Sequence, residues 1–353
     1  MSCSHPLKRW VLGYDCFEQK ELAVVTSYAV DHIEKDFSGV HKCTNSMPKV
    51  RKPGTKYFTE YQEISCGKCS ACRMAYSRQW ADRCMLELQY HDSAYFCTFT
   101  YNDQSLPLSG YTDPDTGEYM PSATLVKRDF QLFMKRLRFQ FGEGIRFFAA
   151  GEYGTTTFRP HYHAIIFGLK LDDLAVWRRP IDSGLQEEYT YRTSPTLEKI
   201  WGYGFVCVGE VTWETCAYTA RYVMKKLKGP AAEFYDKFQI VPPFTLMSRR
   251  PGIGAQYFLD HPECMEYDYI DISTPNGGKR IRSPHYYQAL YEISMPMEAA
   301  DLKLTRKKMA EEVKKLKLGQ TGLSYLEMLA VQEHMLEERI KCLKRGYDMN
   351  GQS

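Results

Sequence analysis

Three short runs constrain the fold of this chain more than anything else: AYFCTFTY from Ala94, RFFAAGEY from Arg146 and HYHAIIFG from His161. Each is dense in β-branched and aromatic residues and is bounded by turn formers, which is the pattern of a strand. Between the first two, Leu125–Phe141 carries Phe130, Phe133, Met134, Leu137 and Phe141 at helical spacing, with Gly142 placed to stop the helix. The turn GTTTFRP joins Ile145–Tyr153 to His161–Leu169. Phe205–Val211 reads as a further strand, and Trp213–Leu227 as a helix closed by Gly229 and Pro230. The order strand, helix, strand, strand, strand, helix predicts an α+β fold with a mainly antiparallel sheet and helices gathered on one face.

The rest of the chain reads as extensions of this core. Residues 1–92 form an N-terminal region whose first 65 residues are the least regular, with a β-favouring run at Leu22–Ser27, a loop at Lys49–Gly54, and a helix from Arg73 to His91. Residues 93–230 are the expected core, including a long loop after the first strand at 102–121. An irregular extension follows at 231–298, and 299–353 reads as two helices broken at Gly319–Gly322. With 353 residues, 44% of them apolar, the chain can bury one large core or two modest ones. No apolar stretch approaches the ~20 residues needed to cross a bilayer, so a cytoplasmic protein with reduced thiols and no membrane partner is expected. The net charge of +3 does not establish a polyanion partner, and that case rests on local patches.

His161 and His163 are one residue apart on a strand, so both imidazoles project from the same face and can share a metal ion, while Tyr162 points the other way. If the two strands form an antiparallel hairpin, Glu152 lies beside His161 as a third ligand. A mixed imidazole and carboxylate set accepts Mg²⁺ or Mn²⁺. Tyr218 and Tyr222, four apart on a helix, share a face that continues into Lys225 and Lys226, an arrangement suited to attack on a phosphodiester. Taken singly, HxH more often falls on a polar strand face and YxxxY more often packs half-buried.

The segment CGKCSAC spaces Cys66, Cys69 and Cys72 as C-x₂-C-x₂-C, and Cys3 offers a fourth thiolate for a structural zinc, with His5 able to replace one of them. An iron–sulfur cluster and plain buried thiols are the alternatives. SRRPGIG sets Arg249 and Arg250 beside a Pro/Gly turn, a form suited to DNA phosphate or to an ordinary surface loop. Lys307, Lys308, Lys314, Lys315 and Lys317 make a basic helical face with a supporting DNA role or a solvated one.

Taken together, CGKCSACRMAYSRQWADRC, FCTFTYND, RFFAAGEYG, RPHYHAIIFG, WGYGFVCVG, AYTARYVMKK and SRRPGIG resemble the HUH endonucleases over roughly Cys66 to Tyr287. The likeness is to the replication initiators of small single-stranded DNA phages, the Microviridae, and to their gokushovirus-like branch. The resemblance implies an RRM/ferredoxin-like palm with His161 and His163 as metal ligands, Glu152 as a third, and Mg²⁺ or Mn²⁺ as cofactor. It also implies Tyr218 and Tyr222 as nucleophiles assisted by Lys225 or Lys226. The implied activity is rolling-circle nicking and rejoining of single-stranded origin DNA through a 5′-phosphotyrosine, with host polymerase and helicase as partners in the bacterial cytoplasm. The alternatives are a non-catalytic, zinc-stabilised single-stranded DNA-binding protein and a relaxase-type relative serving DNA transfer.

Overall fold

A computed structural model of the chain describes residues 3–154, 157–178, 190–222, 232–274 and 277–341. They group into two compact units, residues up to Ala75 with those from Lys307 onward, and Tyr76–Arg306.

The first unit begins with six strands: β1 (Leu7–Asp15), β2 (Lys20–Thr26), β3 (His32–Asp36), β4 (Gly39–Cys43), β5 (Lys56–Phe58) and β6 (Gln62–Ile64). They pair as two three-stranded antiparallel sheets, β2-β1-β6 and β4-β3-β5. Residues 1–65, expected to be the least regular, are therefore mostly strand. Their signal is faint because the strands are short and largely exposed, and the core beneath them is only Trp10, Val30 and Ile33. Trp10 satisfies its buried indole N–H on the Thr26 hydroxyl at 2.9 Å.

Helix α1 (Ser70–Leu88) leads into the second unit, where β7 (Ala94–Thr100), the hairpin β8 (Leu108–Thr112) and β9 (Tyr119–Ala123), and α2 (Lys127–Phe141) follow. The segment expected as a long loop thus contains a hairpin of polar, turn-flanked strands. Next come β10 (Arg146–Tyr153), β11 (Pro160–Phe167), β12 (Ala175–Arg178), β13 (Tyr191–Thr193), α3 (Pro195–Trp201), β14 (Val206–Gly209) and α4 (Trp213–Tyr222). The expected continuation of α4 to Leu227 lies outside the described residues. Ala231–Glu298 is not irregular: its described part forms α5 (Glu233–Lys237), β15 (Phe244–Met247), α6 (Ala255–Asp260), the hairpin β16 (Tyr269–Thr274) and β17 (Gly277–Arg282), and α7 (His285–Ser294). Helices α8 (Pro296–Gly319) and α9 (Tyr325–Lys341) end the described chain, with their break where the glycines placed it.

The main sheet has seven strands in the order β12-β13-β14-β7-β11-β10-β15, every neighbour antiparallel. The α+β expectation holds, with one correction: helices cover both faces. On one side α2 and α3 bury Phe130, Phe133, Leu137 and Trp201 against Phe99, Phe147 and Tyr162. On the other, α1 and α4 bury Trp80, Met85, Cys216 and Ala220 against Phe96, Phe148 and Ile165. The cause is visible in β10 and β11, which are buried residue after residue rather than alternately, so each face needs a cover. Gly142 ends α2 at φ +100, donating its N–H to Arg138 O at 2.8 Å.

Beneath α1, buried Glu87 accepts from the guanidinium of Arg146, from His91 Nε2 at 3.2 Å and from the Gly254 N–H at 2.7 Å. Burial alone would raise its pKa, but these three donors hold it below the ordinary 4.5. Its contribution is therefore present at neutral pH and is lost as pH falls through the folded value. Glu87→Ala strands a charge and a buried N–H, and is expected to cost about 3 kcal/mol, read from the urea midpoint at constant slope.

Candidate functional site

The register of the central hairpin sets the site. Glu152 on β10 lies opposite His161 on β11, and Thr98 on β7 lies opposite His163. Residues two apart share a face, so all four side chains stand on the side of the sheet covered by α1 and α4. Tyr162 projects the other way and is fully buried, its hydroxyl donating to Val126 O at 2.9 Å.

Glu152 Oε1 is 2.9 Å from His161 Nε2 and 3.1 Å from His163 Nε2. The two rings stand perpendicular, 4.9 Å apart between centroids. His161 Nδ1 lies 3.1 Å from the Arg159 carbonyl, which can only accept, so that nitrogen carries the proton and Nε2 presents its lone pair to the cluster. Thr98 Oγ1, 3.0 Å from His163 Nδ1, holds the second ring in the same sense, and Phe96 stacks on it at 5.8 Å. Glu152 and His163 are 2% and 5% exposed, so the cluster opens to solvent only on the side of half-buried His161. Burial pushes the Glu152 carboxyl up, yet hydrogen bonds and charge from both imidazoles bring it down to about 2, an ionised oxygen ready to ligate.

Glu152, His161 and His163 are one of three groups among the described residues compact enough to hold a metal ion. Two imidazoles and a carboxylate leave several coordination positions for water or phosphate oxygen, and suit Mg²⁺ or Mn²⁺.

Helix α4 lies over this face. Its half-buried Tyr218 sets its ring edge-to-face on His163, 5.3 Å between centroids, and on Phe96 at 6.1 Å. The helix is anchored to α1 by Ser77, whose hydroxyl donates to Ala217 O at 2.7 Å, and by the Trp213 indole donating to Asp82 at 2.7 Å. Tyr222 ends the described helix one turn beyond Tyr218; its side chain, Lys225 and Lys226 lie outside the described residues.

The family model for the replication-associated protein ORF2 matches residues 94–227, the stretch from β7 through α4 that carries every residue of this cluster. The replication-associated protein ORF2 of Spiroplasma virus 4 is 33% identical over 298 residues, 82% of this chain and 87% of that protein. This chain belongs to the replication-associated proteins of small single-stranded DNA phages. The replication-associated protein VP4 of Bdellovibrio phage phiMH2K is 31% identical over 297 residues, 80% of this chain and 84% of that protein. ORF4 of Chlamydia phage 1, also named a replication-associated protein, is 29% identical over 213 residues, 57% of this chain and 49% of that protein. No solved structure matches the chain at a significant level.

In this replication-associated protein, Arg249 and Arg250 are exposed on the turn that follows β15 and share no hydrogen bond with the cluster among the described residues. The turn itself is pinned, with Pro251 O accepting from Arg146 at 2.9 Å and Ile253 O from Arg83 at 2.9 Å. The Arg83 guanidinium is sandwiched between the rings of Trp80 and Tyr286, 4.2 and 4.0 Å from their centroids. Of the basic face on α8, Lys314 is committed to Glu63 at 2.9 Å and to the Tyr325 ring, while Lys307, Lys308, Lys315 and Lys317 are exposed. Cys3, Cys66, Cys69 and Cys72 converge in the first unit. Thr98 was missed from sequence, although its place in FCTFTY, two residues from Phe96 on a strand pairing with β11, carries the parity that aims it at His163.

Proposed function

We propose that the protein initiates rolling-circle replication by nicking and rejoining single-stranded origin DNA through a 5′-phosphotyrosine. The observation that carries this reading is the Tyr218 ring resting on His163, within the cluster that joins His163, His161 and Glu152. Membership among phage replication-associated proteins supports the same reading. Glu152, His161 and His163 would hold Mg²⁺ or Mn²⁺, which when bound supplies Lewis-acid charge to the scissile phosphate. The Tyr218 oxygen attacks phosphorus, its proton passing to water; the Tyr–O–P bond forms as the P–O3′ bond breaks, and the 3′-oxygen leaves with a proton from water. Because one phosphoester replaces another, a later 3′-hydroxyl reverses the step without ATP. Tyr222 serves the second cleavage, when Tyr218 is still esterified, and Lys225 and Lys226 favour the phenolate. The free 3′ end is then extended by host polymerase, with host helicase opening the template, in the bacterial cytoplasm. No helix among the described residues is long and apolar enough to cross a membrane.

The test is incubation with end-labelled circular phage-type single-stranded DNA and Mg²⁺ or Mn²⁺, followed by a denaturing gel. A covalent protein–DNA band is the expected result. Tight binding with no covalent band under either metal would instead favour a single-stranded DNA-binding protein.

Thr98 acts in this reading as a positioning residue. Thr98→Val keeps shape and strand preference but removes the oxygen that orients His163, and is expected to weaken Mn²⁺ affinity about 10–100-fold by calorimetry. Unchanged affinity would mean that the hydroxyl does not set the ring.

A further inference from the structure

Four cysteines from two distant stretches meet at one end of the β1·β6 ladder. These strands run antiparallel with Leu7 opposite Ile64, so the chain just before Leu7 and the chain just after Ile64 emerge at the same edge. Cys3 lies on the first, and Cys66, Cys69 and Cys72 on the second, the last two at the start of α1. Cys3 Sγ is 3.8 Å from Cys69 Sγ, Cys66 Sγ is 4.0 Å from Cys72 Sγ, and all four sulfurs lie within 4.8 Å of one another.

We propose that these four thiolates hold a single structural Zn²⁺ that clips the N-terminal segment to the start of α1. A tetrahedral site with Zn–S bonds of about 2.3 Å has sulfur–sulfur edges of about 3.8 Å, which is the spacing found here. A disulfide would need about 2.05 Å, and an iron–sulfur cluster spreads its cysteines around a core of several atoms, farther apart than this. Backbone N–H groups of Cys66, Cys69 and Lys68 point at sulfur: Cys66 N–H donates to Cys3 Sγ at 3.3 Å, Cys69 N–H to Cys66 Sγ at 3.3 Å and Lys68 N–H to Cys66 Sγ at 3.4 Å. Such donors offset the excess negative charge that four thiolates place around a dication. His5 is not a fifth candidate, since its Nε2 faces Glu333 at 2.8 Å. Four protein ligands leave no open position, so the metal here is a folding element rather than a reagent. The site shares no residue with the tyrosine cluster, and the inference stands or falls independently of the nicking reaction.

The test uses the full chain purified without chelator from zinc-supplemented cells. Elemental analysis is expected to give about one zinc per chain, and X-ray absorption at the zinc edge four sulfurs at about 2.3 Å. Cys69→Ser should lose most of that zinc, while Cys16→Ser, at an exposed cysteine outside the cluster, should keep it. Should Cys69→Ser fail to fold, titration of the wild-type protein with a mercurial reagent, read with a chromophoric chelator, is expected to release zinc in step with thiol modification. A folded preparation free of zinc, an iron content in place of zinc, or an absorption shell of nitrogen and oxygen would overturn the proposal.

Discussion

Replacing His161 and His163 together by alanine is expected to lower strand nicking by on the order of 10³-fold or more, since it removes the two nitrogens that would hold charge at the scissile phosphate. The double variant also leaves the buried Glu152 carboxylate without its imidazole donors. Its pKa then rises from about 2, and the fold loses about 1–3 kcal/mol. That loss does not touch the seven-stranded sheet, whose β10 and β11 ladder bonds remain, so circular dichroism and DNA affinity should stay close to wild type. A chelator should mimic the substitution on the wild-type protein, and added Mn²⁺ should reverse the chelator but not the substitution. Wild-type nicking by the double variant, folded and metal-replete, would remove the metal assignment.

The second large effect belongs to the tyrosines. Tyr218→Phe with Tyr222→Phe keeps both rings, including the edge-to-face contact of residue 218 on His163 and Phe96, and deletes only two oxygens. Stability should therefore change by less than about 1 kcal/mol, DNA binding should persist, and covalent adduct should disappear. The single variants separate the roles. One or both should still form an adduct on an oligonucleotide, but neither should complete efficient cut-and-rejoin turnover, because the second cleavage needs a free phenol while the first is esterified. Full turnover by either single variant would show that one tyrosine suffices.

The central hairpin and its ligands were legible in the sequence because every step was local. Strand periodicity put His161 and His163 on one face, and a short connection put Glu152 opposite His161, as the register shows. The tyrosine helix was legible for the same reason. What escaped was set by tertiary contact. The strand Phe244–Met247 completes the sheet from inside a proline-rich stretch because β10 offers it a free edge, not because its own four residues announce a strand. The second helical layer escaped too, although the unbroken apolar runs of β10 and β11 already required it. In the first 65 residues, short exposed strands over a three-residue core gave periodicity too little to work on.

The central claim is that a tyrosine of α4 becomes joined to DNA, and mass spectrometry of the nuclease-trimmed adduct tests it most directly. The wild-type protein, incubated with origin oligonucleotide and Mn²⁺, should yield a peptide spanning 218–222 that carries a nucleotide on Tyr218 or Tyr222. A nucleotide found only on some other residue, or no covalent nucleotide on a protein that still cleaves the strand, would contradict it.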